Sequence, residues 1–345
     1  MKRIECLKRL LPVVFLFIAS SVQASLFVFG DSLSDAGNVY DASIALGLQP
    51  DPIVPPYYMG RMSNGPNWAD IVSQGLGLGQ TTASRLGGNN FAWAGATSGT
   101  GTTNRPSIVR PGQVQPVDNV GKQIQSFAAI HPGGFAAGDL VLYWSGANDI
   151  FYYTVGGVPV ATAVANLFSL TTANLQSLEA LGATAIVLPN QIDAGIAPAW
   201  NGMFGLPPAA RPYITAVTTL FNAALPGLIA NLESMPGFDA DVTLVDAFSV
   251  AQSMFTNPAA YGFTNVTDPA FPGHVGDAEH YLFWDPIHPT TAAHRVIANA
   301  ALAAVPEPGG LPLVGASLGL LACFGIGRRT RSSSYARQSI GRCRA

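Results

Sequence analysis

Short apolar runs alternate along this chain with longer stretches in which apolar positions recur at helical spacing. Residues 26–29 read as a first strand that stops at Gly30-Asp31-Ser32. Residues 90–93 read as a weaker second strand, 139–144 as a third, 183–188 (stopped by Pro189) as a fourth, and 241–245 as a fifth. Residues 120–130, 162–181, 212–232 and 290–303 read as helices, and Pro289 suits the first turn of the last. Strands alternating with helices predict an α/β fold on a parallel sheet, since parallel neighbours need a crossover between them. Four long segments, 41–62, 97–117, 191–208 and 251–281, are rich in Gly, Pro, Asn and Thr and carry no regular pattern. Such loops tend to emerge at the carboxyl ends of parallel strands, where ligands bind, so a cleft is expected there.

The two ends carry a different pattern. Residues 1–24 combine a basic start (Lys2, Arg3, Lys8, Arg9), an apolar run from Leu10 to Ile18 and a small-x-small close at Val22-Gln23-Ala24. That is the layout of a secretory signal peptide cleaved after Ala24; the run is too short to span a bilayer core of roughly 30 Å. After Ala304 come Val305-Pro306-Glu307-Pro308, a Gly/Leu-rich stretch from Leu311 to Gly327, then Arg328 and Arg329. This layout resembles the PEP-CTERM sorting signal of Gram-negative bacteria. The resemblance implies a membrane-spanning segment within residues 305–329 and an exosortase-type processing enzyme as partner. A simple tail anchor is the alternative, and residues 330–345 form a basic tail in either case.

Setting the ends aside changes the charge of what remains. The whole chain has 17 basic and 20 acidic residues, net −3. The leader holds four basic residues and Glu5, and the region after Ala304 holds six and Glu307. Residues 25–304 are thus left with 7 basic against 18 acidic residues, net −11. An acidic domain of this kind disfavours nucleic acid and anionic headgroups as partners. Cys6, Cys323 and Cys343 all lie in the ends, so no disulfide is available between residues 25 and 304. A hydrophobic core must hold that single domain.

Four pieces of sequence then carry candidate chemistry. Ser32 sits in a tight turn after the first strand, where a hydroxyl can be presented at the sheet edge; alone, this is as readily a plain turn. Gly95 follows the second strand, and a glycine there lets a backbone N–H approach a ligand closely. Asn148, in Gly146-Ala147-Asn148-Asp149, can aim an amide at developing negative charge, or Asn148 or Asp149 can serve as a helix cap. Asp285 and His288, in Asp285-Pro286-Ile287-His288-Pro289-Thr290, can hold a carboxylate against imidazole Nδ1 and leave Nε2 free to accept a proton. A capping Asp beside a solvated His is the other reading of that pair. Together, a hydroxyl, a glycine, an amide and an Asp–His pair, each beside a predicted strand or the last helix, are far more specific than any one piece.

These four pieces resemble the blocks of the SGNH, or GDSL, hydrolase family across nearly all of residues 25–304. Leu188-Pro189-Asn190-Gln191, Phe221-Asn222-Ala223-Ala224-Leu225, Tyr261-Gly262-Phe263-Thr264-Asn265 and Tyr281-Leu282-Phe283-Trp284-Asp285 are similar to the branch holding plant-type GDSL lipases and autotransporter esterases. The resemblance implies a three-layer α/β/α, flavodoxin-like fold with a five-stranded parallel sheet. It implies a serine ester hydrolase with Ser32 as nucleophile, His288 as base and Asp285 orienting it. Ser32 N–H, Gly95 N–H and the Asn148 side chain would then form an oxyanion hole. No cofactor is implied, and no residue spacing points to a metal. The substrate would be an ester, either a lipid or an acylated or acetylated carbohydrate, met outside the inner membrane. Alternatives on the same site are acyl transfer to an alcohol and polysaccharide deacetylation. A non-catalytic surface-binding protein would have no need of the full side-chain set. Tyr57, Tyr58, Trp93, Trp200 and Phe204 are candidates either for an acyl pocket or for core. His294 reads as a helix-surface or packing residue, and His274 and His280 either line the cleft or are solvated loop residues.

Overall fold

The computed structural model describes residues 24–107, 109–202 and 206–305. The predicted leader up to residue 23, the sorting signal and tail from residue 306, and Phe204 lie outside the described residues. Five consecutive buried residues, Leu26–Gly30, form β1, as a strand covered on both faces requires. Two short helices follow, α1 (Asn38–Ala45) and α2 (Trp68–Gly75), then a hairpin of β2 (Thr102–Pro106) and β3 (Val114–Asp118). Next come α3 (Val120–Ile130), β4 (Leu140–Trp144), α4 (Ala147–Val155), α5 (Val160–Ala180) and β5 (Ala185–Pro189). The chain continues through α6 (Arg211–Glu233), β6 (Asp241–Val245), α7 (Ala247–Thr256), β7 (Asn265–Pro269), β8 (Tyr281–Phe283) and α8 (Thr291–Ala304).

The main sheet is parallel throughout, in the order β1-β4-β5-β6. Its helices pack in two sets, α3 to α6 in one and α2, α7 and α8 in the other, with β6 touching members of both. That is the helix–sheet–helix arrangement predicted. The sheet has four strands rather than five. The predicted second strand survives as one parallel bridge between Asn90 and Val28 on the outer edge of β1. Val28 N–H donates to Asn89 O, Phe91 N–H to Val28 O and Trp93 N–H to Gly30 O, before the chain turns with Ala96 N–H on Trp93 O. The early turn is what stops a full ladder from forming, because it carries the backbone off the sheet edge toward Gly95.

Aromatic packing closes the face of β1 against α3. The Phe27, Phe29, Phe91, Phe127 and Phe135 rings lie with centroids 4.1–6.3 Å apart, mostly edge to face. Fully burying a Phe contributes on the order of 1.5–3 kcal/mol, so this cluster is a main anchor of the sheet edge that bears Ser32. A second buried cluster, including Val39, Tyr57, Met62, Trp93 and Trp284, lies under the loops. Tyr57 and Trp93 are therefore core, and Trp200 is likewise buried. Regular structure extends into the predicted loops: the β2–β3 pair spans residues 102–118, β7 lies within 251–281, and α1 and α7 run into 41–62 and 251–281.

Candidate active site

The turn after β1 is built for close approach. Gly30 has φ +156°, and a Cβ there would stand 2.2 Å from the Trp144 carbonyl oxygen of β4, so only glycine lets the strands end side by side. Asp31 Oδ1 accepts the Leu33 N–H at 3.0 Å, and Asp31 O accepts the N–H groups of Ser34 and Asp35. Ser32 is left half-buried between buried neighbours, on the wall of a cavity of about 170 Å³. Burial pushes Asp31 up to about 7, against the Leu33 hydrogen bond and the charge of His288.

Asp35 and Asn38 join this turn to the one bearing Gly95. Asp35 Oδ1 accepts the N–H of Gly37 (2.7 Å) and of Asn38 (2.6 Å), while Oδ2 accepts the Ala94 N–H at 2.8 Å. Asn38 Nδ2 donates to the carbonyls of Asn90 and Ala92 at 2.8 and 2.9 Å. Gly95 itself has φ +83°, a backbone state that L side chains rarely adopt. Among the described residues, the N–H groups of Ser32 and Gly95 donate to no protein acceptor.

The third element is the start of α4. Its N-cap is Gly146, so Asn148 lies inside the helix and neither it nor Asp149 serves as the cap. Asn148 Nδ2 donates one hydrogen to Ala96 O at 2.9 Å, and Asp149 Oδ2 accepts the Ser98 N–H at 2.8 Å. These two bonds dock the positive end of the helix against the Gly95 turn, where it favours negative charge. Burial pushes Asp149 up to about 6, opposed by its bonds from Ser98.

Between β8 and α8, Asp285 and His288 form a buried pair. His288 Nδ1 lies 2.7 Å from Asp285 Oδ2, and since a carboxylate only accepts, Nδ1 carries the hydrogen. Asp285 Oδ1 accepts the N–H groups of Ile287 and His288, and Oδ2 also accepts the Tyr57 hydroxyl at 2.8 Å. Burial would raise the Asp285 carboxyl, but the charge and hydrogen bond of His288 and the two N–H groups hold it below the usual range. For His288, burial works downward. The Asp285 carboxylate outweighs it, and the charges of Asp31 and Asp51 add to the rise. His288 Nε2 is buried without a hydrogen-bond partner, and no Ser32–His288 hydrogen bond is formed in this structure.

Ser32, Gly95, Asn148 and His288 thus line one cavity, with Asp285 behind the histidine. Loop residues complete its wall: Asp51 and Met62 from 41–62, Arg105 and Gln115 from the hairpin, and Ile192 from 191–208. No residue of 251–281 contributes among those described. None of the aromatic candidates among the described residues lines it; Phe151 and Tyr152 of α4 do instead. His294 is a buried packing residue, pushed down to about 3 chiefly by burial. His280 pairs with Asp277 in an exposed position, and His274 stacks on Tyr281. Among the described residues, no cluster of His, Cys, Asp or Glu is placed to hold a metal ion.

The family model described as GDSL-like Lipase/Acylhydrolase matches residues 26–301. A GDSL esterase/lipase of Arabidopsis thaliana is 28% identical over 317 residues, covering 81% of this chain and 88% of that relative. A second from the same plant is 28% identical over 334 residues, covering 83% and 88%.

Proposed function

This chain belongs to the GDSL-like lipase/acylhydrolase family and is an ester-bond hydrolase, and on that premise we propose that Ser32, His288 and Asp285 are its catalytic triad. The observation that carries the proposal is the buried Asp285–His288 pair, with an unpartnered Nε2 on a histidine that shares a cavity with Ser32. Nε2 takes the Ser32 proton as Oγ attacks the ester carbonyl carbon. Negative charge forms on the carbonyl oxygen, where the Ser32 and Gly95 N–H groups and the remaining Asn148 amide hydrogen receive it. Collapse expels the alcohol with a proton from His288, leaving the acyl group on Ser32. A water molecule, deprotonated by the same nitrogen, then releases the acid.

Labelling with a fluorophosphonate tests the nucleophile. The expected adduct maps to Ser32, and Ser32→Ala abolishes both the adduct and hydrolysis of p-nitrophenyl butyrate; a Ser32→Ala variant that hydrolyses it at the wild-type rate overturns the assignment. Replacing Asn148 by Ala is expected to lower kcat by about 10²–10³, the usual effect of losing one oxyanion donor.

We also propose that the domain is exported and works outside the inner membrane, supported by the leader-like residues 1–24 and the sorting-like residues 305–329. Fractionation of the full chain expressed in a Gram-negative host tests this, and retention of the uncleaved chain in the cytoplasm overturns it.

A further inference from the structure

The triad and the oxyanion donors leave three polar residues of the cavity wall unused, one of which, Arg105, packs beside Gly95. They are Asp51, Arg105 and Gln115, with Asp51 and Gln115 only 1% and 4% exposed. Gln115 Nε2 donates to Asp51 Oδ2 at 2.7 Å. The carboxylate cannot donate, so this bond fixes which way the Gln115 amide points. It leaves Gln115 Oε1 as a buried acceptor and Arg105 Nε as a buried donor without a partner, while Asp51 Oδ1 has none at full hydrogen-bond geometry and the Ser107 hydroxyl lies close to its carboxylate. Arg105 and Gln115 face each other across the β2–β3 hairpin, and the Arg105 guanidinium sits 4.0 Å from the centroid of the Tyr152 ring. The three groups are therefore held in place before any ligand arrives.

We infer that Asp51, Arg105 and Gln115 form a subsite for the alcohol portion of the ester, and that this portion carries several hydroxyl groups, as a glycerol or sugar unit does. The inference rests on the reading of Ser32 and His288 as nucleophile and base. Leaving buried polar groups unpaired on the wall is costly, and the cost is removed when a ligand supplies what they lack. Acceptors and a donor together ask for groups that both donate and accept, which hydroxyls do. An alkyl chain satisfies none of them, and an ammonium satisfies the acceptors but meets the charge of Arg105. The alcohol side follows from the chemistry. The departing oxygen takes its proton from His288, so the alcohol lies on the histidine side of the cavity. Asp51 lines the same cavity as that imidazole, and its charge acts on it. The acyl portion is left the apolar lining, which includes Phe151 and Ile192.

Glyceryl monobutyrate and propyl butyrate share an acyl group and differ in two hydroxyls, so their kcat/KM ratio reads the subsite directly. The wild-type enzyme is expected to favour the glyceryl ester by about tenfold or more, since a site built to bond a hydroxyl rejects an analogue lacking it. Gln115→Leu and Arg105→Met are each expected to pull that ratio down by about tenfold. The ratio does not depend on how much of a variant folds, so a poorly folding variant still reports. A wild-type ratio near one, or a ratio that neither substitution moves, overturns the subsite while Ser32 labelling by fluorophosphonate leaves the esterase reading standing. Absence of both labelling and hydrolysis overturns the triad, and the subsite with it.

Discussion

Tyr57 and His288 share one oxygen of Asp285, at 2.8 and 2.7 Å. The tyrosine hydroxyl draws charge away from the bond that the imidazole receives. Removing it in Tyr57→Phe concentrates the carboxylate on Nδ1 and makes His288 a stronger base. The acid limb of the kcat/KM–pH profile is therefore expected to move upward by a few tenths of a unit, with a loss of about twofold at neutral pH. A drop in rate with an unshifted limb indicates that Tyr57 only packs. Nothing local in the sequence pairs Tyr57 with a residue 228 positions away, and an aromatic in a Pro-rich loop reads equally as pocket or core. Ser32, Gly95, Asn148 and the Asp285–His288 pair were legible because each sits in a short motif against a strand or helix end. Asp51, Arg105 and Gln115 were not, because their meeting depends on how two irregular segments fold over the sheet.

At the scale of elements, the segment leading into α2 hangs on one buried ion pair. Arg61 Nε and Nη2 donate to the two Asp70 oxygens at 2.9 and 3.1 Å, while Nη1 donates to Ala36 O and Nη2 also to Thr81 O. Arg61 and Asp70 are 4% and 0% exposed, so Arg61→Ala leaves a carboxylate buried without its cation. That change is expected to cost about 3–5 kcal/mol in chemical unfolding, whereas exposed Arg85–Asp41 broken the same way costs under about 1 kcal/mol. The strands with long apolar runs and the helices α3, α5, α6 and α8 were readable from periodicity to within a residue or two at most ends. Helix α2 could have been read from its capping box, in which Asn67 and Asp70 bond each other's backbone. The β2–β3 hairpin could not: its strand residues are mostly polar, exposed or half-buried, and only tertiary contact pairs them. The missing fifth strand has the opposite cause, since the pattern was there and the turn at Gly95 cut it short.

For the whole molecule, buried acids set the response to pH. Burial pushes Asp31 up to about 7 and Asp35 and Asp149 to about 6, while in the unfolded chain they ionise near pH 4. The folded state binds these protons more tightly, so their contribution to stability is complete at low pH and is lost as pH rises through about 6–7. His294 acts the other way, since its folded pKa of about 3 makes acidification below 6.5 costly. Asp285 and Asp246, both held below the usual range, lose their contribution as pH falls through about 4 and below. Asp51 and His288, also raised in the folded state, act with the acids, so four acids and His288 oppose His294 and the melting temperature is expected to peak near pH 4–5 and decline toward 7.5. A melting temperature that climbs steadily to pH 7.5 contradicts it, and Asp149→Asn is expected to flatten the decline. The hairpin has a different consequence, one of inheritance. It pairs only with itself and lies outside the main sheet, yet Arg105, Gln115 and Val117 of its strands reach the cavity. Variation confined to β2 and β3 can therefore reshape the cavity wall while the main sheet and the residues proposed as nucleophile and base are passed on intact. A mutant library restricted to those two strands is the shortest experimental route from one specificity to another.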